Sequence, residues 1–162
     1  MDDALRDLYQ QTILEHGRKP HNFGRLDPHS HAAKGSNPMC GDRVVVTLTV
    51  DGGRVADIRF EGRGCAISQA SASIMTDLVK GRPLDEVRTL LDAFTAMATT
   101  GETPGGGLAE DDREAIRLMS GIHAFPMRVK CATLGWRTLE AALDNQSQTT
   151  TEAQPGKQEA AR

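Results

Sequence analysis

The sequence is poor in rings: one tryptophan, one tyrosine and four phenylalanines in 162 residues. Its core must therefore be packed from Leu, Val, Ile, Ala and Met. It also lacks an excess of positive charge. Its 19 Lys and Arg face 22 Asp and Glu for a net charge of -3, and the two signs are interspersed. Neutralising a phosphate backbone takes a basic stripe, so a nucleic-acid partner is not expected. No apolar run approaches the about 20 residues that span a bilayer. The opening stretch MDDALRDLYQQ is acidic where a secretory leader is basic. The expectation is a cytoplasmic chain with no membrane partner. Cysteine is scarce as well. Three is an odd number that cannot all pair within the chain, and in a reducing compartment thiols read as ligands or nucleophiles rather than disulfides.

The length suits one domain with a real core. Leu5, Leu8, Tyr9, Thr12 and Ile13 recur at helical spacing and predict a helix over 3–16. RKPHNFGRLDPHSHAAKGSNP follows without periodicity and reads as a long surface loop leading to Cys40. Val44, Val46, Leu48 and Val50 alternate, as do Ala56, Ile58 and Phe60 after DGG at 51–53, which predicts an antiparallel hairpin. Its other face carries Thr47, Thr49, Asp57, Arg59 and Glu61 and should be wet, with helices covering the inner face. The fold class is α+β, a small antiparallel sheet built on that hairpin. Later helices are expected after Cys65 (Ile67, Ala70, Ile74, Leu78), after Pro83 (Val87, Leu90, Leu91, Phe94, Met97), over about 110–121, and around Ala132, Trp136, Leu139 and Leu143. The glycine run in TTGETPGGGLAEDD has no neighbouring lysine and reads as a flexible loop rather than a phosphate cradle. From Asn145 onward no large apolar residue remains, so 145–162 is expected to be a disordered tail on a domain of 1–144.

Cys40 lies in a loop entering the hairpin, Cys65 at a helix start and Cys131 in the early turns of another helix. Three buried structural cysteines are one reading, since free cysteine is among the most buried residue types. Small neighbours at Gly41, Gly64, Ala66 and Ala132, and two positions near helix N-termini, favour thiolates instead. Thiolates gathered together need a cation. Zinc takes a tetrahedral set of Cys, His and carboxylate ligands, and three cysteines leave one place open. Asp42, two positions from Cys40, is a candidate, and its alternative is a turn residue bonded to its own backbone. His16, His21, His29, His31 and His123 compete for the same place.

NPMCGD, GRGCAIS and RVKCATLGW, in this order with a hairpin between the first two, resemble the U-type scaffold family of iron-sulfur cluster assembly. The likeness runs from EHGRKPHNFGRLD at 15–27 to about Asp144. In that family the IscU type has a histidine before the third cysteine and builds clusters. The SufU type has a lysine there, a longer spacer before it, and acts as a zinc-dependent sulfur acceptor. Lys130 and the inserted loop and helix at about 99–122 resemble the SufU type. The resemblance implies Zn2+ held by Cys40, Asp42, Cys65 and Cys131. Cys40 is the expected catalytic residue, since it rides a loop hinged by Pro38 and Gly41 whereas Cys65 and Cys131 are anchored by helices; it would accept persulfide sulfur from a SufS-like cysteine desulfurase and pass it toward downstream SUF assembly proteins or apo iron-sulfur proteins. Arg128 and Lys130 are candidates for steadying a released thiolate. The alternatives are a scaffold holding iron or a [2Fe-2S] cluster on the same ligands, and a zinc-stapled binding module without chemistry.

Overall fold

The structure, a computed structural model, describes residues 3–104 and 106–152. In chain order its elements are α1 (Asp3–Arg18), β1 (His31–Asn37), β2 (Asp42–Asp51), β3 (Arg54–Arg63), α2 (Ala66–Val79), α3 (Leu84–Thr100), α4 (Glu110–Arg117), a 3-10 turn (Ser120–Ala124), α5 (Pro126–Leu143) and β4 (Gln148–Thr150). The alternation in β2 acts as a period of two requires: Val44, Val46 and Leu48 are all buried on one face. Gly52 and Gly53, both at positive φ, close the predicted hairpin between β2 and β3. The register then slips, so that Thr49 pairs with Asp57 and Val50 with Val55. Ala56 is left as the extra residue of a bulge. Val55 is therefore the buried residue and Ala56 is exposed, against the expected alternation.

The sheet order is β3-β2-β1-β4. Here the structure corrects three expectations. The supposed loop before Cys40 contains β1, antiparallel to β2. The supposed tail contains β4, which pairs parallel to β1 through Lys34, Gly35 and Ser36. The sheet is accordingly mixed rather than antiparallel, while residues 153–162 of the predicted tail lie outside the described residues. β1 escaped the pattern because its inward positions are Ala33, Gly35 and Asn37. They are small because α5 crosses directly over them. A Cβ on Gly35 would collide with Thr138 Oγ1 and lie 3.1 Å from Leu134 Cδ1. Thr47, assigned to the wet face, is buried because the chain before β1 folds over it, the Leu26 N–H donating to Thr47 Oγ1 at 2.9 Å. The same segment pairs with the outer edge of β3, where Gly24 N–H donates to Phe60 O and Phe60 N–H to Asn22 O. On the opposite side β4 covers the β1 edge and is itself the last strand of the sheet.

α2 and α5 lie side by side over the inner face. A Cβ on Gly135 would sit 3.1 Å from Ala72 Cβ, so that glycine sets how closely they approach. Trp136 stacks on Phe94 at 4.5 Å between ring centroids, in a core that Phe60 and many aliphatic residues complete. α1 packs on α2 with Tyr9 buried and Ile13 against the core, and the side chains of Leu5 and Leu8 lie outside the described residues. The inserted α4 is fastened by Arg82, whose guanidinium donates to both oxygens of Asp112 at 2.9 and 2.6 Å. Among the described residues no helix is long and apolar enough to cross a membrane.

Candidate metal centre

Antiparallel pairing of β1 with β2 ends at Asn37 opposite Asp42, leaving Pro38, Met39, Cys40 and Gly41 as a four-residue hairpin loop. The Cys40 N–H donates to Asn37 O at 3.2 Å, and Gly41 closes the loop at a φ of 73°, a left-handed conformation that glycine adopts without steric cost. Cys40 therefore rides the tip of a turn, and Asp42 below it points into the protein at 1% exposure. Cys65 is the N-cap of α2. Its sulfur accepts the Ser68 N–H at 3.4 Å, which places a sulfur at the positive end of the helix dipole. Gly64 makes the approach possible: a Cβ there would lie 2.5 Å from Asp42 Oδ1. Cys131, on the second turn of α5, comes in from the helix layer and is buried.

Three of the four side chains gather, and Cys65 stands beside Asp42 outside that mutual group. Donor atoms of Cys40, Asp42 and Cys131 all lie within 4.8 Å of one another, with Cys131 Sγ 3.4 Å from Cys40 Sγ. Cys65 Sγ stands 3.9 Å from Asp42 Oδ2. Asp42 accepts from the Cys65 N–H at 2.9 Å and from the Asn37 amide at 3.4 Å, so it is more than a turn residue bonded to its own backbone. No lysine or arginine among the described residues bridges to it, which leaves this buried carboxyl group available to a cation. Burial, and then hydrogen bonding with Asp42, Cys40 and Cys65, pushes the Cys131 thiol well above the usual cysteine range, so the metal-free cluster holds this proton. The donor set fits a cation of the zinc class, with sulfur and carboxylate ligands from three elements.

Sequence reasoning missed Asn37. Its side chain is fully buried and donates to both Asp42 Oδ2 (3.4 Å) and Cys131 Sγ (3.5 Å), while its own oxygen accepts from Thr151 Oγ1 at 3.0 Å. One amide thus orients two candidate ligands and is itself oriented by the segment after β4. The signal was in the sequence: an asparagine immediately before a Pro-containing turn and five positions before Asp42 is placed to face that acid across a hairpin. Arg128 and Lys130 are not joined to the thiols by any described contact. Lys130 pairs with Glu152 at 2.8 Å. Arg128 lies over the Phe125 ring, 4.8 Å from its centroid, at the edge of an apolar groove lined by Tyr9, Ile13, Ile67 and Met119. The competing histidines are engaged elsewhere: His29 with Leu26 O, His31 with Ser30, His123 with Ser120 O, and His16 and His21 with Ser73 and Asp77.

Residues 8–132 match the family model described as the NifU-like N-terminal domain. Over 139 residues the chain is 40% identical to the zinc-dependent sulfurtransferase SufU of Bacillus subtilis, covering 86% of this chain and 91% of that one. It is 38% identical over 139 residues to the iron-sulfur cluster assembly scaffold protein IscU of Streptococcus pyogenes serotype M1, covering 86% and 84%. A crystal structure from Fervidobacterium islandicum AW-1, of a protein assigned as an iron-sulfur cluster assembly scaffold of the SUF system, superposes with a TM-score of 0.75 at 31% identity, over 85% of this chain and 98% of that one.

Proposed function

This chain belongs to the family of the NifU-like N-terminal domain, the scaffold family of iron-sulfur cluster assembly, and on that premise we propose that it is a zinc-dependent sulfur acceptor working with a cysteine desulfurase. The observation that carries this reading is the placing of Cys40: exposed on a glycine-closed turn, directly above a buried Asp42 and Cys131. Cys40, Asp42, Cys65 and Cys131 would hold the zinc, which when bound supplies the positive charge that keeps the thiols deprotonated at neutral pH. Cys40 is the sulfur best suited to move. Cys65 is tied to its helix through Ser68 and Cys131 is enclosed by α5, whereas the turn bearing Cys40 can swing about Pro38 and Gly41. Met39 beside it is 59% exposed, an apolar side chain next to Cys40 that a protein partner could cover.

In the reaction the Cys40 thiolate attacks the outer sulfur of a cysteine persulfide on the desulfurase. The donor's sulfur-sulfur bond breaks as a new one forms on Cys40, the donor cysteine leaves as a thiolate, and no electrons are gained or lost overall. Asp42 and Cys131, fixed by Asn37, keep the floor of the site in place while Cys40 departs. A second reading, a scaffold assembling a cluster on the same four side chains, draws on the 38% identity to a protein named as a scaffold. Desulfurase turnover with radiolabelled cysteine sulfur separates the two. The acceptor reading predicts label on Cys40 that Cys40→Ser removes, and a Cys40→Ser protein labelled as well as the parent would refute it. Iron-dependent cluster growth passed to an apoprotein, without prior label on Cys40, would favour the scaffold.

A further inference from the structure

A second set of metal-type donors stands apart from the cysteines. His16 lies on the last turn of α1, His21 in the chain that follows, and Asp77 on α2, and their donor atoms all lie within 4.8 Å of one another. Asp77 is 12 residues beyond Cys65 along the same helix, roughly 18 Å away at about 1.5 Å per residue. We propose that His16, His21 and Asp77 form a separate site for a divalent cation of the zinc class.

The surroundings are organised as such a site requires. Ser73 Oγ meets His16 Nδ1 at 2.7 Å and accepts the His21 backbone N–H at 2.8 Å, so one hydroxyl sets both histidine segments. Asn22 donates to Asp77 Oδ1 at 3.1 Å and leaves Oδ2 to face His21 Nδ1 at 2.6 Å. A cation replaces the proton shared there, the separation opening to roughly the 3 Å that two ligands on one zinc ion keep. Second-shell hydrogen bonds of this kind fix imidazole tautomer and ring direction. The two rings sit 4.4 Å apart between centroids, a poor arrangement for two imidazolium ions and a favourable one for two neutral ligands. Occupancy would tie the end of α1 to α2, and binding to the folded state alone adds stability by mass action.

The test uses the full-length protein with one equivalent of Zn2+ already bound, titrated with further Zn2+ and followed by calorimetry, by histidine ring NMR and by thermal melting. A second equivalent should bind, shift the ring resonances of His16 and His21, and raise Tm. His21→Ala and Asp77→Asn, both at half-exposed side chains, should each weaken that equivalent about 10-fold or more and leave the first unchanged. If the cysteine cluster takes no zinc, the histidine shifts and the two variants still report this site alone. Absence of any zinc-dependent shift at His16 and His21, or a histidine-bound equivalent that both variants retain at parental affinity, overturns the proposal.

Discussion

Cys131 is 3% exposed and Asp42 1% exposed, while Cys40 and Cys65, whose sulfurs stand 3.4 and 3.9 Å from them, are open to solvent. The floor of the cluster is held from three sides by α5, by the closing pair of the β1–β2 hairpin and by the segment after β4 acting through Thr151. The rim has a helix cap on one side and a four-residue turn on the other. The floor is enclosed and fixes the geometry, whereas the rim is open to solvent. Under the proposed function, binding and transfer would be divided between these neighbouring side chains of a single cluster.

The largest expected effect sharpens this division. Cys40→Ser should abolish sulfur uptake from the desulfurase while leaving the unfolding free energy of the metal-free protein in urea within about 0.5 kcal/mol of the parent, since the residue is exposed on a turn. Next comes Asn37→Ala, which strikes the floor without removing a ligand. It frees both Asp42 and Cys131, and zinc affinity in chelator competition should fall about 10–100-fold. Stability should drop by about 1–3 kcal/mol from the unpaired groups left behind. Gly35→Val tests the support beneath. Forcing α5 away from β1 should cost about 1–3 kcal/mol in denaturant, and zinc affinity should weaken with it because Cys131 rides on α5. If affinity is unchanged, the floor does not depend on that packing. The smallest effect is expected for Lys130→Ala, whose ion pair with Glu152 is about a third exposed and is worth at most about 1 kcal/mol. Sulfur uptake should be unaltered, and a large loss would return Lys130 to the chemistry.

The sequence was most legible where side chains were large and regularly spaced. The β2–β3 hairpin and the helices around Leu90 and Leu139 all follow from apolar periodicity. β1 and β4 were not. An inner face of Ala33, Gly35 and Asn37 has no hydrophobic amplitude, and Gln148–Thr150 are polar residues recruited as a strand only because β1 offers an edge. The bulge at Ala56 was hidden for a related reason, since a register shift depends on the partner strand and leaves no local mark. At the site, the four candidate ligands were legible from residue chemistry. Thr151 and the bond from Asn37 to Cys131 were not, because they exist only after positions 114 and 94 residues distant are brought into contact.

By itself the sequence determined the donor chemistry: three thiols and an acid in small, turn-forming contexts, on a framework of one hairpin and several amphipathic helices. Those properties are local, and local propensity and spacing are enough to express them. Tertiary structure alone decided which thiol is enclosed and which is free, that an amide and a strand from the end of the chain brace the floor, and that two histidines gather around Asp77 instead of joining the cysteines. Burial and long-range hydrogen bonding are properties of the packed whole, and no window of the chain contains them.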